Sequence, residues 1–166
     1  MAPVTHHIAQ LNVGRAVGPL DSETMAEFMA LLDPINAIAD RSPGFVWRLE
    51  DDEGTGATGI KVSEDEQFIV NMSVWESIDA LWEFVYDGDH VAVMRRRREW
   101  FERHVKPFQV LWWVPANHVP TPEEALAKLA HLETYGPTPD AFTFKKRFAP
   151  GGEPLPAGRP PAPCEA

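Results

Sequence analysis

The sequence predicts an α+β fold with an antiparallel sheet and its helices gathered on one face. Three observations carry that expectation. Four short stretches are rich in β-branched and aromatic residues. The helical stretches cluster instead of alternating strictly with those strands. Turn and cap residues stand where each periodic segment ends.

The first strand is "HIAQLNV", His7 to Val13. "RAVGPLDSE" then supplies loop residues, with Asp21 or Ser22 placed to cap a helix over Glu23 to Ala39. In that helix Met25, Phe28, Met29, Leu32, Ile35 and Ile38 recur at helical spacing and form one apolar stripe. Pro34 lies inside the stripe, so a kink or a two-part helix is expected. "RSPG" ends it, and "GFVWRLE" (Gly44 to Glu50) reads as strand two. The acidic, glycine-rich "DDEGTGATGIKVSEDEQ" is too polar for a core and reads as a mobile connection.

Strand three is "FIVNMSVWE", Phe68 to Glu76. Ser77 caps a short helix in which Ile78, Leu81, Trp82 and Val85 share a face. A further helix is expected from about His90 to Phe101, and "FQVLWWVP" (Phe108 to Pro115) is strand four. Thr121, Pro122 and Glu124 fit the N-cap, first and third positions of a helix that runs to Tyr135 and stops at Gly136. "AFTFKKRF" alternates weakly and is expected as a last strand. From Ala149 onward the chain is rich in proline and glycine, which predicts one folded domain over residues 1–148 and a disordered tail over 149–166.

Composition narrows the function. With 166 residues and a formal charge of -10, the acidic surface repels phosphate backbones and anionic lipid, so neither nucleic acid nor membrane is expected as a partner. Cys164 is the single cysteine, which excludes a disulfide framework or a cysteine metal site within one chain. The first residues carry no basic-then-apolar leader, and no stretch approaches the roughly 20 apolar residues a bilayer span needs. The expected location is cytoplasmic.

The element order matches the ferredoxin-like β-α-β-β-α-β unit. Together with "NMSVWES", "ALWEF", "INAIADRSPGFVWRL", "RRREWFER" and "LWWVPANHVPT", it resembles the dimeric α/β-barrel superfamily, and within it the DUF3291 family, over roughly residues 6–148. That superfamily includes antibiotic-biosynthesis and haem-degrading monooxygenases. The resemblance implies a homodimer whose sheets pair across a two-fold axis, and a small-molecule pocket between each sheet and its own helices. In the haem-degrading branch the pocket holds a strand-one asparagine, a strand-three tryptophan and a helix histidine on the iron. Asn12 and Trp75 stand at the first two positions, whereas the histidine position falls near Met94, one turn past His90. The sequence departs from haem ligation there. The quinol-oxidising branch, with a histidine near His90, fits better and implies a site without a cofactor.

Each candidate has a bland reading beside the functional one. His90 is the candidate base, since imidazole exchanges a proton near neutrality, or it is an early-turn polar residue after "DGD". Asn71, Ser73 and Trp75 share one face of strand three, and Ile8, Gln10 and Asn12 share one face of strand one. These polar groups line a ligand pocket, or they bond one another. Arg48 either anchors a ligand anion or pairs with an acid across a dimer. Trp82 and Met94 are further candidate pocket walls, although large aromatics also fill cores. The run Arg95 to Arg98 spreads around its helix and reads as a solvated surface. The remaining histidines show no metal-ligand spacing. The functional expectation is an enzyme acting without a cofactor on an aromatic or polyketide-type compound, monooxygenase-like or isomerase-like. The alternative is a non-catalytic ligand-binding or scaffold protein.

Overall fold

The computed structural model describes residues 5–50, 67–86, 96–103 and 107–156. The acidic connection, His90, Met94, His104 and Cys164 lie outside the described residues.

Strand β1 spans His6–Arg15, β2 Phe45–Arg48, β3 Phe68–Trp75 and β4 Gln109–Pro115. They form a four-stranded sheet in the order β2-β3-β1-β4, with every pairing antiparallel. Helix α1 is Ala26–Asp40, α2 Ile78–Tyr86, α3 Arg97–Trp100 and α4 Pro122–Tyr135. This is the ferredoxin-like arrangement with an added C-terminal helix. Among the described residues, no helix is long and apolar enough to cross a membrane.

Strand parity decides how the sheet packs, because successive side chains point to opposite faces. Ala9, Leu11 and Val13 of β1 sit beside Val70, Met72 and Val74 of β3 and Val110, Trp112 and Val114 of β4. All nine are buried, in one cluster with Ala125 and Leu132 of α4. The opposite face carries α1, α2 and α3. There Ile8 and Trp75 join Ala39, Ile78, Leu81 and Val85 at one end of the sheet. At the other end Ile69 joins Ala16, Met25 and Trp100.

The caps act at two helix starts as their residue types dictate. Ser77 Oγ accepts the Ala80 N–H at 3.1 Å, and Thr121 Oγ1 accepts the Glu124 N–H at 3.1 Å. Glu124 does not complete the reciprocal bond of a capping box. Its carboxylate turns to His118 Nε2 at 2.7 Å and takes the Trp112 Nε1 proton at 3.2 Å. Gly136 ends α4 at φ 72°, a conformation that a side chain would strain.

Three expectations are corrected. A 3-10 turn over Glu23–Met25 precedes α1, and α1 then continues through Pro34 to Asp40, so of the two alternatives at the proline the two-part helix falls. Ala30, whose carbonyl loses its partner to the proline, is exposed, so water can serve it. The expected last strand is reduced to isolated bridges, chiefly Leu111 with Phe142. The folded part also runs past 148: Ala149 N–H reaches Glu153 O at 2.8 Å, Leu155 N–H reaches Arg147 O at 2.9 Å, and Leu155 packs on the α2 cluster. Backbone bonds hold a segment that its composition alone would leave loose.

Candidate functional site

Cross-strand register divides the helix-facing side of the sheet into rows. The first row, Phe45, Trp75, Ile8 and Trp113, is aromatic and aliphatic. The second places Arg48, Ser73, Gln10 and Leu111 side by side. The third is Asn71, Asn12 and Gln109, and the fourth pairs Ile69 with Gly14. A polar band thus crosses the middle of the face, between the two apolar clusters.

Helix α1 spans the band. Its start belongs to the cluster of Met25, with Phe28 and Leu31 packed there, and its end places Ala39 in the cluster of Trp75. Between those anchors Leu32, Ile35 and Ile38, members of the apolar stripe, stay only half-buried. Asn71 is exposed although β3 is an inner strand of the sheet.

Inside the band the amides and hydroxyl bond one another. Gln10 Nε2 donates to Ser73 Oγ at 2.9 Å and to Asn71 Oδ1 at 3.0 Å. Trp75 Nε1, which can only donate, gives its proton to Ser73 Oγ at 2.8 Å. Asn12 Nδ2 donates to Gln10 Oε1 at 2.9 Å. Asn12 Oδ1 is left buried and without a partner among the described residues. An orphaned buried acceptor costs about 1–3 kcal/mol, so this atom is where an incoming N–H or O–H would gain most.

Trp75 is fully buried, stacked on Phe84 with ring centroids 5.0 Å apart, so its ring is core and only its N–H serves the band. Trp82 is likewise core, 4.1 Å from Tyr86 and edge-on to Phe144. Phe84 of α2 covers the first indole, and Phe144 of the C-terminal segment packs on the second. Arg48 pairs within its own chain, with Asp40 Oδ1 and Glu50 Oε1 each at 2.7 Å. The hydrogen bond that Arg48 donates to Asp40 raises its pKa further, and its charge is already answered.

The arginine run divides. Arg96 lies on the surface between Glu27 and Glu99, and these contacts hold both carboxyls below their ordinary range. Arg97, which sequence reading placed on a solvated surface, is instead half-buried, its guanidinium over the rings of Phe101 and Phe108 at 5.0 and 4.5 Å. Desolvation lowers its pKa. The signal available in the sequence was Phe101 four residues on, at helical spacing. Among the described residues, no group of three His, Cys, Asp or Glu could hold a metal ion.

Fold and band together define a class: an α+β protein of ferredoxin-like topology with a polar strip on the helix-covered face of its sheet. A family profile described as a domain of unknown function, DUF3291, matches residues 7–157, and the chain belongs to that family. Comparison with curated proteins gives no match. Among solved structures the chain is similar to SnoaB, a cofactor-independent oxygenase from Streptomyces nogalater, at 17% identity over 68% of this chain and 95% of that one, with a TM-score of 0.46. It is similar to PA3566 from Pseudomonas aeruginosa at 9% identity over 72% and 100% of the two chains, TM-score 0.46. A protein of unknown function from Nitrosomonas europaea follows at 12% identity over 72% and 98%, TM-score 0.45.

Proposed function

We propose that the chain binds a flat, mostly apolar small molecule between α1 and the polar band, and acts on it without a cofactor. The chemistry is monooxygenase-like or isomerase-like on an aromatic or polyketide-type compound, with His90 as the base and Asn12 and Asn71 orienting the reacting oxygens. One observation carries the reading. An exposed asparagine on an inner strand faces Asn12, whose buried amide oxygen has no partner among the described residues, beside a helix whose apolar stripe is only half covered. Folding alone gives no reason to leave both polar and apolar surface unfinished at one place.

The alternative is a binding or scaffold protein without catalysis. Its support is the mutual saturation of Gln10, Ser73 and Trp75, which keeps much of the band occupied with itself. Homodimer assembly in the cytoplasm, with no nucleic acid or membrane partner, belongs to both readings. The sheet face beneath α4 is already buried within one chain, so sedimentation is the measurement that decides assembly.

Native mass spectrometry of the chain with a panel of aromatic and polyketide-type compounds tests the first reading. The expected result is a bound ligand that is consumed or isomerised, with turnover lost in His90→Ala while binding persists. Dioxygen uptake separates the oxygenase from the isomerase. Bound ligand with no turnover in the natural chain favours the alternative.

A further inference from the structure

Arg97 is a half-buried arginine held against two phenylalanine rings. Arg15 pairs with Glu102, Arg48 with Asp40 and Glu50, and Arg96 with Glu27 and Glu99. Arg97 has no carboxylate within ion-pair distance among the described residues. Of its five N–H donors, one is used among the described residues, Nη2 to Val13 O at 3.1 Å. Arg97 differs from the other described arginines without an ion pair in lying over two aromatic rings.

The surroundings hold this guanidinium in place. Its guanidinium carbon lies 5.0 Å from the centroid of the Phe101 ring and 4.5 Å from that of Phe108, an arrangement that suits a cation. Gly14 makes room: a Cβ there would lie 2.8 Å from Phe101 Cδ1 and 3.2 Å from Arg97 Nη2. Glycine at 14 is thus required by the close approach of the arginine and its aromatic neighbour.

The position ties Arg97 to the polar band. Gly14 and Asn12 are two residues apart on β1 and share a face, a separation of about 7 Å along a strand. The guanidinium stands against Gly14, at the end of the band away from Trp75.

We infer that Arg97 anchors an organic anion, a carboxylate above all, on a ligand whose neutral oxygens meet Asn12 and Asn71. This rests on the reading of the band as a ligand site and adds its charge requirement: a flat organic acid whose hydroxyl lies across the molecule from its carboxylate. Arg97 then acts as a binding residue. Its lowered pKa, caused by burial, is the expected mark of a cation that lacks a counter-charge until the ligand supplies one. A structural Arg97 would only close the Val13 carbonyl and fill the space between two rings. It would give no preference between charged and neutral ligands.

The test uses 6-hydroxy-2-naphthoate and its uncharged amide, 6-hydroxy-2-naphthamide, titrated into the full chain by calorimetry. The acid is expected to bind about ten- to a hundredfold more tightly, the range of a charge-assisted hydrogen bond. Arg97→Gln is expected to bring the two affinities together. Equal binding of acid and amide by the natural chain overturns the assignment to Arg97 and leaves the ligand site standing. No binding of either overturns both. Should Arg97→Gln fail to fold, a crystal of the natural chain with the acid decides: a carboxylate on Arg97 supports the assignment, and a carboxylate elsewhere overturns it.

Discussion

The two faces of the sheet are built from alternate residues of the same strands, yet they are finished differently. Under α4, Ala9, Leu11, Val13, Val70, Met72, Val74, Val110, Trp112 and Val114 make an unbroken apolar surface, all of it buried. Under α1, the apolar surface is divided into two clusters with amides and a hydroxyl between them. A sheet designed only to fold would gain by making both faces alike, since each fully buried aliphatic or aromatic side chain contributes roughly 1.5–3 kcal/mol. The difference teaches that stability is concentrated on one face, which frees the other to carry polar groups at a tolerable cost.

The contrast predicts graded responses. Trp112→Ala, on the closed face, removes a side chain that is 1% exposed and leaves Glu124 without its indole partner. It is expected to cost about 3–5 kcal/mol in urea unfolding. A loss under about 1 kcal/mol would mean that the closed face is not where stability resides.

Ser73→Ala, inside the band, strands the Trp75 N–H and one Gln10 donor, both buried. The expected cost is about 1–3 kcal/mol by the same measurement. No loss at all would show that these donors find water, and that the band is wetter than its bonds suggest.

Asn71→Ala, at the exposed end of the band, removes one acceptor of Gln10 Nε2 where water can replace it and leaves Gln10 bonded to Ser73. Unfolding should change by less than about 0.5 kcal/mol, while ligand affinity in calorimetry falls severalfold. A large stability loss with unchanged affinity would reverse the roles assigned to the two residues.

Much of this division was legible in strand parity. The alternation in "FIVNMSVW" puts Asn71, Ser73 and Trp75 on one side and Val70, Met72 and Val74 on the other before any pairing is known. Ser77 and Thr121 were readable because a cap depends on residues three positions away. Arg48 was half readable. Glu50, two residues along and on the same face, was visible, whereas Asp40 comes from α1 and needs the fold. Arg97 is hard to single out in a run of four arginines that spreads around a helix: Phe101 four residues on is a visible mark, whereas the approach of Phe108 and the gap at Gly14 need the fold. The segment from Ala149 to Pro156 was missed because backbone bonds leave no trace in composition.

The bridge between Leu111 and Phe142 has a consequence for the company this sheet can keep. Both backbone groups of Leu111, midway along the outer strand β4, are taken: its N–H by Phe142 O at 2.8 Å and its C=O by the Phe142 N–H at 2.9 Å. Trp113 Nε1 fastens the same segment through Phe148 O at 2.7 Å. A foreign strand arriving at this border meets a seam already stitched shut at its midpoint. The C-terminal segment therefore serves as a selvedge, guarding a strand of valine, leucine and tryptophan that would otherwise be well suited to seeding fibrils.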